Sequence, residues 1–260
     1  MSQGITAFPA ATSTEFDDWA TLVLEHVARY RLTVPAAVGR LPGLKSIAPR
    51  HILRALRQLQ QRSLLTSAPL HHGQSYWHLS AEGARRCGLE EDRAGPLSES
   101  AKIRAYAILY DCCLSDRPRH RLTRSELESH FPRLFEPGLP SGYVFDPEGD
   151  GQLGLVRVDA GQLGRWDRII ESVREDVSRH WAHAGFRAVV RASRFELVLL
   201  TALPQKAERL TQALRTHRDI QRIPIRITAI PALLPLIASI PRKEVMPTSR
   251  SIPLCGFHRS

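Results

Sequence analysis

The sequence feature that most constrains the fold is a basic amphipathic segment followed directly by two short strand-like runs. Over residues 49–62, apolar side chains at Ile52, Leu56 and Leu59 recur at the spacing of one helix face. The other face carries polar and basic side chains. Two strands are then predicted around a polar turn at residues 71–74. Such a helix needs other elements to cover its apolar face and leaves its basic face available for contacts.

Two further helices are predicted ahead of this segment. Apolar residues follow a helical rhythm over residues 16–30, and a short helix follows Thr33, where Pro35 suits a first helical turn. Ser80 is a plausible cap for a helix after the strands. The order of three helices and a two-stranded wing predicts a winged helix-turn-helix domain over residues 15–92.

The polar face of the third helix has the chemistry of a base-contacting surface. Arginine can donate two hydrogen bonds to guanine, glutamine can pair with adenine, and both reach phosphates. We therefore predict that the domain binds double-stranded DNA, with the wing on the backbone or minor groove. Winged helices also serve as protein-contact modules, and this alternative stays open. The predicted DNA contacts are Arg50, His51, Arg54, Arg57, Gln58, Gln61, Arg62, His71 and His72.

The charge balance agrees with a polyanionic partner. The chain has 36 Lys and Arg against 26 Asp and Glu, a formal net charge of +10, and nearly all the cations are arginine. No apolar run is long enough to cross a membrane, and residues 1–19 lack a signal-peptide pattern, so we predict a cytoplasmic protein without membrane contact. The four cysteines lack zinc-site spacing. We expect reduced thiols, no bound metal and no cofactor.

The remainder of the chain predicts a second, mixed domain, so the fold class is α+β. Residues 1–14 are interpreted as a flexible leader, 93–100 as a polar linker, 101–240 as an α/β domain and 241–260 as a C-terminal tail. Within the second domain, helices are predicted over 124–130, 166–181 and 204–217. Strands are predicted over 142–146, 153–159, 186–192, 195–203 and 223–230.

The run ILRALRQLQQRSLLTSAPLHHGQSYWHLSAEGAR resembles the winged-helix half of the replication-relaxation proteins of plasmids and integrative elements. Ser63 stands where such helices commonly carry glycine before the wing. That family is similar in carrying a PD-(D/E)xK nuclease-like domain behind its winged helix. The resemblance implies a nuclease-like core around the strands that end at Asp146 and Asp159, with Mg²⁺ held by one acidic residue from each strand and a lysine two residues after the second.

The residues of this chain depart from that catalytic pattern. Arg157 stands at the second acidic position and Asp159 at the lysine position. If Asp159 is taken as the acidic ligand, the lysine position is Gly161, and Lys206 lies a helix and two strands away. Asp146 also fits an ordinary Asp-Pro turn. Asp146 and Asp159 remain weak catalytic candidates, and we predict a degenerate nuclease-like scaffold without hydrolytic activity.

These patterns together predict a sequence-specific double-stranded DNA-binding protein of a bacterial plasmid or mobile element. It would act as a transcriptional regulator or as an accessory factor in replication or mobilisation. One alternative is a metal-dependent DNA nickase or endonuclease, and a second is a protein-interaction subunit of a DNA transfer complex. A homodimer and contacts with replication or conjugation proteins are further partners that this interpretation admits. Scattered histidines are expected at the surface: His120, His130, His180 and His183.

Overall fold

The computed structural model describes residues 13–71, 73–117, 119–132, 134, 142–147, 151–159, 166–217, 220 and 223–239. The predicted tail and most of the predicted leader lie outside these described residues, as does His72. None of the helices in these ranges combines the length and the hydropathy of a membrane-spanning segment.

The described residues form a mixed α+β structure, as predicted. The helices are α1 (Ser13–Tyr30), α2 (Pro35–Val38), α3 (Pro49–Gln61), α4 (Ala81–Arg86), α5 (Glu99–Leu109), α6 (Arg124–His130), α7 (Trp166–Trp181), α8 (Ala184–Arg191), α9 (Pro204–Arg215) and α10 (Leu234–Ala238). The strands are β1 (Leu65–His71), β2 (Gln74–Leu79), β3 (His120–Arg121), β4 (Tyr143–Asp146), β5 (Gln152–Val158), β6 (Phe195–Thr201) and β7 (Ile225–Ala229). Short 3₁₀ turns occur at Glu91–Arg93 and Pro231–Leu233, and a π-helical turn occurs at Tyr110–Leu114.

Helices α1 to α4 and the β1–β2 hairpin form the first part of the structure, here called the helical head. The predicted apolar row of α3 is buried in its core, with Ile52 5% and Leu56 and Leu59 0% exposed. These side chains pack with residues of α1, α2 and the hairpin. Strands β1 and β2 are antiparallel, and Thr33 adds an isolated bridge to Trp77. The predicted helix–helix–helix–hairpin order is confirmed.

Hydrogen bonds and close packing hold the hairpin against the end of α3. Ser63 has φ of 58°, in the left-handed region where glycine is usual after a helix. Ser80 caps α4, because its hydroxyl accepts a bond from the Gly83 amide at 3.0 Å, and it also donates to the Ser63 carbonyl. A side chain at Gly83 would place its Cβ 2.0 Å from the Leu64 carbonyl oxygen, so this position requires glycine.

The second part, here called the sheet unit, is built on a five-stranded sheet in the order β3-β4-β5-β6-β7. The first three strands are antiparallel neighbours, whereas β5, β6 and β7 run parallel. One face packs on α5 and α10, and the other packs on α7, α8 and α9. Pro224 precedes β7, which is an edge strand, where a proline removes no bond from the interior of the sheet. The two-residue strand β3 has no counterpart in the sequence-based prediction.

The predicted strand at residues 186–192 is wrong, because residues 186–191 belong to helix α8 and Ala192 caps its end. Their valines favour a strand, but the buried side chains Phe186 and Val190 are four residues apart, which is a helical period. Arg187 supports the turn before the helix by donating to the carbonyls of Trp181 and Ala182 at 2.7 and 2.9 Å. Helix packing on the sheet therefore overrides local strand propensity.

The two parts share one hydrophobic cluster, in addition to a cluster that belongs to each part. Helix α5 contributes buried side chains to a cluster that also holds Tyr30, Leu32 and Tyr76 of the helical head and residues of the sheet. The Tyr76 hydroxyl accepts a bond from the Leu97 amide at 3.0 Å, which holds the segment that enters α5. The predicted linker at 93–100 joins the two parts along the chain, and the shared cluster adds a direct contact between them.

A second connection joins α1 to α6. The Arg29 guanidinium donates to both carboxylate oxygens of Glu126 at 2.7 Å, in a bidentate pair. Glu126 also completes a capping box with Thr123 at the start of α6. The hydrogen bonds from Arg29 are the largest of the effects that lower the pKa of Glu126 to about 2. This pair fixes α6 against the helical head.

His26 makes the stability of the fold depend on pH. It is 5% exposed between α1 and the Thr33 bridge, with Nε2 3.0 Å from the Thr33 hydroxyl. Burial lowers its pKa from 6.5 to about 4, and the charge of Arg29 acts in the same direction. The folded protein therefore keeps His26 neutral where the unfolded chain is protonated.

We expect the free energy of unfolding attributable to His26 to be fully present above pH 6.5 and to decrease by about 3 kcal/mol as the pH falls to 4. Urea unfolding at several pH values in this window measures how steeply the free energy of unfolding changes with pH. His26→Gln, which can still bond Thr33, should flatten this dependence, whereas the exposed control His130→Gln should not. An equal slope in wild type and His26→Gln would contradict this assignment.

Candidate nucleic-acid interface

The polar residues of α3 predicted to contact DNA lie on the side opposite its buried row. With about 3.6 residues per turn, Arg50, Arg54, Arg57 and Gln61 fall on one face, and all four are exposed. The predicted contacts His51 and Gln58 are half-buried at the edge of that face, and Arg62 is exposed just beyond the helix. The structure therefore brings together the predicted contacts of α3.

The central arginines of this face are available for a ligand. Arg54 and Arg57 form no ion pair or hydrogen bond with any residue that the structure describes. Arg50 donates to His51 of its own helix at 3.1 Å and to no other residue in the described ranges. Exposed guanidinium groups that are not committed to internal partners can bond an external acceptor without breaking folded-state contacts.

The stretch of the chain that contains α3 carries many positive charges and no negative ones. Between His26 and Ala81 the chain has eight lysines and arginines and no acidic residue. Two of these cations, Arg40 and Lys45, are exposed in the connection before α3 and were not among the predicted contacts. The absence of acidic residues from this stretch is the sequence signal that points to them. Together with the arginines of α3 they make this stretch of the chain strongly positive.

The hairpin tip supports the predicted wing contacts only in part. Gly73 and Gln74 are exposed at the turn, and Gly73 has φ of 77°, which glycine tolerates. His71 pairs with Gln74 across the turn but is half-buried. The other predicted wing contact, His72, lies outside the described residues.

Asp146, the first candidate for a nuclease site, is a buried structural residue, which corrects its interpretation as an ordinary turn residue. It is 1% exposed and forms ion pairs with Arg117 at 2.6 Å and with Arg119 at 3.5 Å. Arg119 is also 3.8 Å from Asp111, to which Arg226 donates two bonds at 2.7 and 3.0 Å. This buried ionic network joins β4 and β7 to the π-helical turn.

Asp159, the second candidate, forms an ion pair with Lys206, which corrects the expectation that this lysine is remote. Both side chains are nearly fully buried, and the Thr201 hydroxyl donates to Asp159 at 3.3 Å. The parallel pairing of β5 with β6 carries α9 back over the end of β5 and creates this contact. The pair ties the start of α9 to the sheet.

The two candidate carboxylates do not meet. Asp146 pairs with Gln152 at one end of the β4–β5 hairpin, and Asp159 follows the other end of β5. At about 3.3 Å per residue, these ends are about 23 Å apart. Arg157 forms an ion pair with Asp176 between them. Within the described ranges, there is no group of three acidic, histidine or cysteine side chains that could hold a metal ion.

His180 corrects the expectation that the scattered histidines lie at the surface. It is 0% exposed, its Nδ1 donates to the Asp176 carbonyl at 2.6 Å, and its Nε2 accepts from the Tyr143 hydroxyl at 2.8 Å. Burial lowers its pKa. His183 is half-buried, whereas His120 and His130 are exposed as expected.

We expect Asp146→Ala to lower the free energy of unfolding by about 3 kcal/mol, because the buried Arg119 would keep only its longer, 3.8 Å contact with Asp111. Urea unfolding measures the loss, with the exposed Asp167→Ala as the matched control. The double variant Asp146→Ala/Arg119→Met should recover part of it. A wild-type midpoint for Asp146→Ala would show that the network does not stabilise the fold.

No protein-family model matches this chain, and no curated protein is significantly similar to it in sequence. The likeness to the replication-relaxation proteins therefore stays a prediction.

Proposed function

We propose that this protein binds double-stranded DNA through the exposed face of α3. The observation that carries the proposal is the contrast between the two sides of this helix. One side is buried in the core through Ile52, Leu56 and Leu59. The other side presents Arg54 and Arg57, which have no ion-pair or hydrogen-bond partner among the described residues. Exposed arginines on a rigid helix can donate paired bonds to guanine and single bonds to phosphates.

The architecture of the helical head supports a winged helix-turn-helix interpretation. Helix α1 is followed by the Thr33 bridge, by α2 and α3, and then by the antiparallel β1–β2 hairpin. In this arrangement α3 would be the recognition helix in the major groove and the hairpin would be the wing. Arg40 and Lys45 would lie beside α3 and contact the backbone.

In the same proposal the protein is a sequence-specific regulator, or a replication or mobilisation accessory factor, of a plasmid or mobile element. The sheet unit would be a degenerate nuclease-like scaffold that supplies oligomerisation, partner contacts or a second DNA surface. The nickase alternative gains no support from the separation of Asp146 and Asp159. Protein docking through α3 is the competing function that the next experiment tests.

We expect the double variant Arg54→Ala/Arg57→Ala to lose about 1–3 kcal/mol of DNA-binding free energy for each arginine that contacts a base. The target is selected first from a random duplex library and from DNA around the protein's own gene. Fluorescence anisotropy then measures affinity. Arg191→Ala/Arg209→Ala, exposed on α8 and α9, removes the same charge from the other side of the sheet and should retain binding. Unchanged affinity in a folded Arg54/Arg57 variant would reject α3 docking.

Salt dependence provides a separate test. Each phosphate contact contributes about 0.9 to the slope of log K against log salt concentration, because binding releases counterions. If Arg40 and Lys45 contact the backbone, Arg40→Ala/Lys45→Ala should reduce the slope by about 1.8 and weaken all duplexes similarly. The slope is measured over a salt titration with selected and scrambled duplexes. If the double variant had the same slope as wild type, both cations would lie outside the interface.

A further inference from the structure

Three arginines from separate elements converge at the junction between the helical head and the sheet unit. Arg31 directly follows α1, Arg93 ends the Glu91–Arg93 3₁₀ turn, and Arg121 lies in β3. These three residues are here called the arginine cluster. Each is half-buried, so the guanidinium groups lie in a partly enclosed site.

Backbone bonds bring Arg31 and the Arg93 turn to the same place. The Thr33 and Trp77 amides each donate to the other's carbonyl, at 2.8 and 2.9 Å. Arg31 lies two residues before Thr33 and Leu79 two residues after Trp77, so this bridge brings the two segments close together. The Gly95 amide donates to the Leu79 carbonyl at 3.2 Å, which holds the segment just after Arg93 at that residue.

Arg121 is held beside the same point by contacts with the end of α1. Its amide donates to the Tyr30 hydroxyl at 3.4 Å, and its carbonyl accepts a bond from Arg29 at 2.6 Å. Since Tyr30 directly precedes Arg31, these contacts join β3 to the end of α1. Backbone bonds and the side chains of Tyr30 and Arg29 therefore bring together the three segments that carry these arginines.

The charges of the cluster are not neutralised within the described structure. None of the three guanidinium groups forms an ion pair with another described residue, and Arg31 Nε is buried without a hydrogen bond. Burial lowers the pKa of both Arg31 and Arg121, and the positive charge of Arg93 lowers both further. The negative charge of Asp92 acts in the opposite direction and raises the pKa of Arg31. Like charges in a partly enclosed site are unfavourable without an anion.

The backbone of Arg31 adds a second unfavourable feature. Its φ is 70°, in the left-handed region, at the position after a helix where glycine is usual. A non-glycine residue in this conformation costs free energy and persists where surrounding contacts hold it. Here the Arg31 amide donates to the Val27 carbonyl at 2.7 Å. The chain therefore keeps an arginine where glycine would be more stable.

We propose that the arginine cluster is a binding site for a phosphate group. Three guanidinium groups supply more donors and more charge than one carboxylate can match, whereas a phosphate dianion offers several oxygens to planar donors. Its binding would satisfy Arg31 Nε and neutralise the mutual repulsion. The phosphate belongs either to a free nucleotide or to a nucleic-acid backbone.

None of the three arginines of the cluster belongs to the face of α3 that is proposed to contact DNA. The cluster lies beside Leu79 at the base of the hairpin, five residues from Gln74 at its tip, which is about 17 Å along the strand. Arg54 and Arg57 belong to neither the base nor the cluster. The two proposals can therefore fail separately.

The test uses the full chain and isothermal titration with pyrophosphate at constant ionic strength. We expect saturable binding to wild type and at least about tenfold weaker binding to Arg31→Gly, because charged hydrogen bonds are lost. Arg31→Gly suits the left-handed backbone and removes repulsion, so without ligand it should melt at the wild-type temperature or higher. Arg93→Gln should also weaken binding and decides the test if Arg31→Gly does not fold. Arg54→Ala/Arg57→Ala should bind as wild type.

Two further binding measurements identify the source of the phosphate. Tighter binding of a nucleoside triphosphate than of pyrophosphate, with unchanged duplex affinity in Arg31→Gly, assigns the site to a free nucleotide. Weaker duplex binding by Arg31→Gly assigns it to a nucleic-acid backbone. Equal pyrophosphate binding by wild type, Arg31→Gly and Arg93→Gln would overturn the proposal. So would the lack of saturable wild-type binding to pyrophosphate, triphosphate and duplex DNA.

Discussion

The packing of α5 is the interaction on which the arrangement of the structure depends. Nearly every side chain from Lys102 to Leu109 is buried, so this helix is enclosed instead of having one apolar stripe. The Lys102 ammonium is accommodated because it donates to Glu99 at 2.9 Å and to the Pro69 carbonyl of the hairpin at 3.4 Å. A helix covered on all sides must be shared by its neighbours. The helical head and the sheet unit therefore fold against the same element.

The ionic contacts of the π-helical turn after α5 fix the orientation in which α5 packs on the sheet. It contains the buried carboxylate of Asp111, to which Arg226 of β7 donates two bonds, and Arg226 also reaches Glu196 of β6 at 3.3 Å. Arg119 extends the network to Asp146. Buried ion pairs add little net stability over apolar packing, but breaking one partner is costly. The network thus penalises other docking angles of α5 on the sheet.

Residue patterns along the chain predicted the elements that depend mainly on residues close to each other in sequence. Pro49 at the start of α3, Ser80 at the start of α4 and the apolar periodicity of the helical head placed each element close to its observed bounds. Elements created by tertiary contacts were missed. Strand β3 exists because two residues pair with β4, and the helix at 186–191 forms on the sheet despite its valines. The Asp159–Lys206 pair depends on strand order, which spacing along the chain does not reveal.

The chemistry of the exposed face of α3 distinguishes between the two kinds of partner that such a helix can have. Protein interfaces depend on apolar and aromatic anchors that become fully buried. Among the described residues, the exposed large hydrophobic side chain is Leu234, in α10 and outside the helical head. The face of α3 instead offers arginines and glutamines in a stretch without acidic residues. A protein partner would have to be strongly acidic and would bury little apolar area, whereas duplex DNA supplies both the charge and the acceptors that these side chains require.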